Sequence, residues 1–244
     1  MSVTNESLRA RDAAHVLHPV TNLAQVKEHG ALIIESAKGS YIYDIDGREY
    51  IEGMAGLWCT GLGFSEPELV NAAVEQMGTL PNSQSFGGRS ILPTGVLAEK
   101  LKAMAPFDAS KVFFVNSGSE ANDTQIKFVR YYNNAIGRPQ KKKIISRINA
   151  YHGSTIGSGS LSGLASFHDD FDLPIADILH TDCPHYYRFG KNGESEEDYA
   201  TQPRDNLDAI IAHEGAATIA AFIAQPTRGA VGVIMQPRTS LVQI

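Results

Sequence analysis

The segment Ser117-Gly118-Ser119 has the residue types of an anion-binding turn, and it stands between an apolar run and a helical pattern that starts at Glu120. N–H groups at the start of a helix carry partial positive charge and bind anions, phosphate in particular. Gly118 lets the backbone approach a ligand closely, and the two serine hydroxyls can add hydrogen bonds. A simpler interpretation is that Ser117 only caps the helix, with Glu120 completing a capping box.

A second candidate is the pair Tyr151-His152, which follows a predicted strand at 143–148. Ligands of doubly wound sheets bind at the carboxyl ends of the strands, so we expect this pair to lie close to the turn 117–119. An aromatic ring there could stack on a flat cofactor. The alternative is an ordinary loop tyrosine next to a surface histidine.

The pattern around these residues predicts an α/β fold with a mostly parallel sheet and flanking helices, because strand-like apolar runs alternate with helical spacing. Segment 111–115 is a continuous apolar run of the type buried on both faces of a sheet. A hairpin is predicted over 41–51, where two alternating runs flank an Asp-Gly turn, and residues 1–38 are predicted to form an N-terminal arm. Further strands are predicted at 143–148, 177–180 and 217–224, and helices at 96–104, 120–132 and 206–213.

Composition and charge exclude several classes of function. The net charge of -6 leaves no basic surface for nucleic acid and no polybasic membrane patch, and no apolar run is long enough to cross a bilayer. Cys59 and Cys183 form no CxxC pair and suit a reducing compartment, so a cytoplasmic protein is expected. The His/Asp/Cys cluster between His180 and His185 matches no standard zinc spacing, so no metal site is expected.

Two motifs together resemble class III aminotransferases, which depend on pyridoxal 5'-phosphate (PLP). These are Asn-Ser-Gly-Ser-Glu-Ala-Asn at 116–122 and Tyr-His-Gly at 151–153. The segment 43–53 is similar to the N-terminal hairpin of that family, and Leu57-Trp58 and the segment 180–188 resemble its omega-amino acid:pyruvate branch. The resemblance implies a fold-type I PLP-dependent transferase, with residues 1–60 as part of the small domain and residues 61–244 as an incomplete PLP-binding large domain.

The resemblance also implies roles for the residues of both motifs. The turn residues Ser117, Gly118 and Ser119 would hold the phosphate group of PLP. Tyr151 would stack on the pyridine ring, and His152 would support it. These roles agree with the physical interpretation of the two segments as an anion-binding turn and an aromatic platform.

Three further positions follow from the same resemblance. Gln225 stands at a strand end where the family usually has Glu-Pro; it can still hydrogen-bond in the cofactor site, but it cannot carry a negative charge. Trp58 and Phe86 would resemble walls of the substrate pocket, with Phe86 reaching across a dimer interface. The family transfers an amino group from an amine or omega-amino acid to pyruvate or another keto acid, and its members are homodimers.

Members of this family are considerably longer than the chain, and their second half carries the Schiff-base lysine and the aspartate that pairs with the pyridine nitrogen. No lysine here lies where the family places its Schiff-base lysine. No catalytic residue is therefore assigned, and the chain by itself is expected to be a truncated, inactive form. Two alternatives stay open: a non-catalytic remnant that binds phosphate, PLP or a full-length partner, and a PLP aminomutase or decarboxylase of the same fold.

Overall fold

The computed structural model describes residues 4–237, and the chain divides into two compact units after Pro106. This division does not bear on the domains of the family, so the predicted boundary at residue 60 stays a prediction. The first unit contains helices Asn5–His15 (α1), Leu23–His29 (α2), Ala55–Trp58 (α3), Pro67–Thr79 (α4) and Leu92–Met104 (α5), and strands Ile34–Lys38 (β1), Tyr41–Asp44 (β2) and Glu49–Ile51 (β3). The second contains helices Gly118–Ala135 (α6), Ile156–Leu161 (α7), Tyr186–Phe189 (α8) and Glu196–Glu214 (α9), and strands Lys143–Arg147 (β4), Ile178–Thr181 (β5), Ile219–Phe222 (β6), Thr227–Arg228 (β7) and Ile234–Met235 (β8).

The predicted hairpin is present in the first unit as β2 and β3, which pair antiparallel. Gly47 adopts a φ of 77° at the turn, a conformation that costs glycine little. The buried carboxylate of Asp44 accepts hydrogen bonds from the N–H groups of Asp46 and Arg48 and from the Tyr50 hydroxyl, so it ties the turn to both strands. The predicted N-terminal arm is more structured than expected, because it forms α1, α2 and β1.

The second unit is built on a parallel sheet in the order β5-β4-β6, which confirms three of the predicted strands. The central strand β4 is buried from Ile144 to Arg147, with Ile145 fully inaccessible. Side chains from the sheet and from α6 and α7 form one core cluster, whose buried members are Ile126, Ile144, Leu161 and Ile178. This core places the start of α6 and the loop after β4 on the same face of the sheet.

The prediction of a buried strand at 111–115 is wrong. The segment has no regular secondary structure, and Phe113 and Phe114 are 65% and 41% exposed. A strand is stable only when a neighbour satisfies its backbone hydrogen bonds, and no described residue pairs with this segment. The apolar pattern therefore indicated a segment suited to burial, but it did not show which part of a protein would pack on it.

The exposed apolar surface predicts association in solution. Strands β5 and β6 each have one edge without a partner among the described residues, and such edges template association. Large apolar side chains are exposed in each unit, among them Val74 and Met77 in the first and Phe113 and Tyr187 in the second, and apolar patches of this kind favour association. We expect the 244-residue chain to be oligomeric or poorly soluble in size-exclusion chromatography with light scattering. A monodisperse monomer with a sharp cooperative melt would contradict this prediction.

Candidate functional site

The first turn of α6 forms the predicted anion-binding turn. Ser117 is extended, with a φ of -153°, and its Oγ accepts a hydrogen bond of 3.1 Å from the Glu120 N–H, so the capping interpretation is correct. The Glu120 carboxylate bonds to the backbone N–H of Asn116 instead of that of Ser117, so the predicted capping box is not formed. The cap leaves the N–H groups of Gly118 and Ser119 without an acceptor among residues 4–237. Two backbone donors thus remain available to an anion at this end of the helix.

The loop after β4 lies against this turn, as expected from the parallel sheet. The Ser154 N–H donates to Ser119 Oγ at 3.1 Å. Gly153, the residue before Ser154, has a φ of 133°. A Cβ atom at this position would lie 2.6 Å from Ser119 Oγ. A side chain at Gly153 would therefore occupy the space that Ser119 needs. By contrast, a Cβ on Gly118 would meet no atom of residues 4–237 within 4 Å.

Tyr151 and Gln225 come together at the carboxyl ends of β4 and β6. The Tyr151 N–H donates to Gln225 Oε1 at 3.0 Å. The Tyr151 ring is 38% exposed and contacts Phe167 edge to face, with ring centroids 5.9 Å apart. This contact packs the Tyr151 ring against Phe167. A planar ligand can stack on an aromatic ring presented in this way.

His152 is buried, not a surface residue. Only 7% of it is exposed, its N–H donates to Ser162 Oγ at 2.9 Å, and its carbonyl accepts from Asn122 Nδ2 at 2.6 Å. Burial lowers the pKa of His152 to about 4, assisted by the nearby Arg228 and His180. The imidazole is therefore neutral at pH 7. Its Nε2 has no hydrogen-bond partner among the described residues, and a buried atom of this kind is rare unless a ligand or water satisfies it.

The two predicted pocket residues belong to the first unit. Trp58 ends the short helix α3 with a φ of 68° and is 63% exposed. Phe86 lies in the loop between α4 and α5 and is 81% exposed. Both side chains are thus large, apolar and mostly exposed.

Residues 23–244 match the family model of the class III aminotransferases. The chain belongs to the class III aminotransferases. Gamma-aminobutyrate transaminase 1, mitochondrial, from Oryza sativa subsp. japonica is 55% identical over 225 residues, which cover 92% of this chain and 44% of the relative. The chain therefore spans less than half the length of this curated relative.

Solved structures agree with the family assignment. The omega transaminase from Pseudomonas jessenii in complex with PMP is 52% identical with a TM-score of 0.95, over 98% of this chain and 52% of that one. A thermostable omega transaminase variant, W58G, engineered for asymmetric synthesis of enantiopure bulky amines, is 52% identical with a TM-score of 0.96, over 98% of this chain and 53% of that one. These matches confirm the fold of a PLP-dependent transferase of fold type I for this aminotransferase chain.

The expectation of a cytoplasmic protein is wrong. The rice relative is a mitochondrial enzyme, and further rice and tomato GABA transaminases that match this aminotransferase chain are mitochondrial too. Two free thiols indicate only a reducing environment, which more than one compartment provides. Among residues 4–237, no helix has both the length and the apolar character to cross a membrane, and no cluster of three acidic, His or Cys side chains could bind a metal ion.

Several residues of this aminotransferase site were not singled out from the sequence. Asn122 donates to the His152 carbonyl in the loop after β4, and Asp123 accepts from the Ser158 N–H in α7. Ser158 and Ser162 accept from the N–H groups of Thr155 and His152 in that loop. One signal was available, because Ser119, Asn122 and Asp123 have the i, i+3, i+4 spacing that places side chains on one helix face. That spacing shows which residues share a face, but it does not show what the face contacts.

Proposed function

We propose that this chain supplies the phosphate- and ring-binding side of a PLP-dependent transaminase, which moves an amino group from an amine or omega-amino acid to pyruvate or another keto acid. The observation that carries the proposal is the start of α6, where two backbone N–H groups lack an acceptor among the described residues and Ser119 Oγ lies beside them. Transaminases of 52–55% identity support the reaction class. The chain spans about half the length of these relatives. The transaminase activity is therefore proposed for the whole protein.

The donors at this site fit the phosphate group of PLP. Free N–H groups at a helix start bind phosphate through partial charge and direct hydrogen bonds. Ser119 Oγ already accepts from Ser154, so its own proton is free to be donated to an anion. Tyr151 offers a ring that is partly exposed and packs against Phe167. PMP is the aminated form of PLP, so the relative solved in complex with PMP supports this choice of cofactor.

Bound PLP acts as an electron sink for negative charge that develops next to the amino nitrogen of the substrate. In our proposal the turn 117–119 anchors the phosphate and so determines where the ring lies. Tyr151 and His152 then define the position of the ring, and the neutral imidazole of His152 adds no positive charge beside it. The Gln225 side-chain oxygen accepts from the Tyr151 N–H and so orients Tyr151. As a neutral amide, Gln225 adds no charge to the site.

Trp58 and Phe86 are proposed as walls of the amine pocket. Both are apolar and exposed within their unit, and binding pockets for small molecules are lined mainly by apolar and aromatic side chains. The W58G variant of the related omega transaminase, engineered for bulky amines, supports a role for a tryptophan in limiting the size of the amine. We also propose that the protein acts as a homodimer.

The reaction is tested with the protein expressed from its complete gene and supplied with PLP. We expect alanine to form from pyruvate when 4-aminobutyrate or a benzylic amine is the donor, because one amino group is transferred for each keto acid consumed. Alanine is measured by chromatography against controls without protein and without donor. If the protein binds PLP but with neither donor forms alanine from pyruvate or glutamate from 2-oxoglutarate, the transaminase assignment is wrong and a decarboxylase or aminomutase becomes the better description.

The phosphate assignment is tested with Ser119→Ala. We expect the affinity for PLP to fall by about 1 kcal/mol, the typical net contribution of one hydrogen bond. Gly118→Val should cost more, because a branched side chain would occupy the approach to the two free N–H groups. Both affinities are measured by titration with PLP, followed by absorbance and fluorescence. Equal PLP affinity in the parent and both variants would show that the phosphate lies elsewhere.

A further inference from the structure

One face of α6 holds the loop after β4 through three side chains. Ser119 Oγ accepts from the Ser154 N–H at 3.1 Å. Asn122 Nδ2 donates to the His152 carbonyl at 2.6 Å. One turn into the helix, Asp123 Oδ1 accepts from the Ser158 N–H in the first turn of α7. The three side chains lie on one face of the helix, so α6 holds the chain at His152, Ser154 and Ser158.

The contact of Asp123 is the one farthest from the anion-binding turn. Its Oδ1 accepts from the Ser158 N–H at 2.8 Å. Ser158 stands at the third position of α7, where its hydroxyl accepts from the Thr155 N–H at 3.2 Å. The Asp123 carboxylate therefore contributes to the start of α7 as well as to the attachment of the loop.

The packing around this contact leaves little room for the loop to shift. A Cβ atom on Gly157 would lie 2.5 Å from Asp123 Oδ1 and 3.1 Å from Ile126 Cδ1. Ser158 is fully buried. The interior is close-packed. If the Asp123 acceptor is removed, the segment around Ser158 therefore cannot move closer to α6 to find another one.

These contacts determine how Ser119 is presented. The Ser154 N–H occupies one lone pair of Ser119 Oγ, and this directs the hydroxyl proton away from the loop. The position of Ser154 depends in turn on the neighbouring bonds at His152 and Ser158. Asn122 and Asp123 thus act on Ser119 through the loop, without facing the anion site themselves.

We propose that Asn122 and Asp123 are positioning residues for the phosphate group of PLP. They hold the loop 152–158 so that the Ser119 hydroxyl acts as a donor beside the free N–H groups at the start of α6. This inference rests on the proposed function, and it adds two residues that do not contact the cofactor. Their removal lowers the affinity for PLP even though every group that binds the phosphate is retained.

The test compares Asp123→Ala with Asp123→Asn. Alanine removes the acceptor of the Ser158 N–H, whereas the amide oxygen of asparagine can accept the same bond. We expect Asp123→Ala to weaken PLP binding roughly tenfold, because a buried donor is left unpaired, and Asp123→Asn to stay within about twofold of the parent. Asn122→Ala should weaken binding in the same direction, which keeps the inference testable if Asp123→Ala does not fold. Asp208→Ala, an exposed acidic residue on α9 of the same unit, is the matched control.

A second measurement does not involve PLP. Amide hydrogen exchange at Ser158 should be at least roughly tenfold faster in Asp123→Ala than in the parent, and close to the parent in Asp123→Asn, because exchange requires an open N–H. A parent that binds no PLP overturns the proposed function. A parent that binds PLP, together with Asp123→Ala of equal affinity, overturns only this inference. Unchanged exchange at Ser158 overturns it as well, whatever the affinity for PLP.

Discussion

Replacing Gly153 with alanine is expected to abolish useful PLP binding. The residue has a φ of 133°, which L-amino acids with a side chain adopt only at a cost of about 1–3 kcal/mol. The new Cβ would also lie 2.6 Å from Ser119 Oγ and would collide with Ser158 Oγ. Either the loop moves away from α6 or Ser119 leaves the anion-binding turn. We expect the affinity for PLP to fall by roughly a hundredfold, which corresponds to about 3 kcal/mol.

The measurement is the same PLP titration, with circular dichroism to verify that the variant is folded. Gly78→Ala is the matched control, because Gly78 lies in helix α4, and its new Cβ would meet nothing within 4 Å. That variant should bind PLP like the parent. If Gly153→Ala is folded and binds PLP as tightly as the parent, then the loop after β4 does not form part of the cofactor site.

Replacing Gly163 with alanine is expected to destabilise the second unit severely. Gly163 approaches the end of β4 so closely that its Cβ would collide with the Arg147 carbonyl and lie 2.7 Å from Ile148 Cα. Its carbonyl accepts from the Asn149 N–H at 2.7 Å, and its N–H donates to the Ala150 carbonyl at 2.8 Å. Because the obstacles are backbone atoms next to the central strand, no side chain can rotate to make room.

We expect the free energy of unfolding to fall by about 3 kcal/mol, at the upper end of the range for overpacked interiors. Urea unfolding followed by circular dichroism measures this loss. Gly95→Ala in helix α5 meets nothing within 4 Å and serves as the control; it should equal or slightly exceed the parent in stability. A Gly163→Ala variant with the stability of the parent would mean that the loop 149–163 can separate from β4 at little cost.

The helix α6 and its cap could be predicted from the sequence because both depend on neighbours along the chain. Ser117 caps through the N–H of Glu120, three residues away, and the helix then follows its own periodicity to Ala135. The same holds for the hairpin 41–51, where a two-strand pattern and an Asp-Gly turn suffice. The motifs at 116–122 and 151–153 also identified the family correctly. A motif consists of residue types at fixed positions in the sequence, so it can be recognised without knowledge of tertiary contacts.

The tertiary structure decided the features that depend on residues distant in the chain. The apolar run 111–115 satisfies every local criterion for a strand but lacks a partner among the described residues, so its hydrogen bonds are not those of a sheet. His152 was a possible surface residue by sequence, yet the core around it lowers its pKa to about 4. Burial and desolvation depend on what packs around a group, and a linear pattern does not contain that information.

The anion site shows the same division between local and distant information. The residue types of Ser117-Gly118-Ser119 predicted free N–H groups at a helix start, and these are present. The sequence did not reveal that the Ser119 hydroxyl is oriented by Ser154, because that bond joins residues 35 positions apart. The Ser154–Ser119 bond requires that β4 and α6 pack on a common core. Local pattern therefore determined which groups this protein offers to a ligand, and the packing of the sheet determined where those groups point.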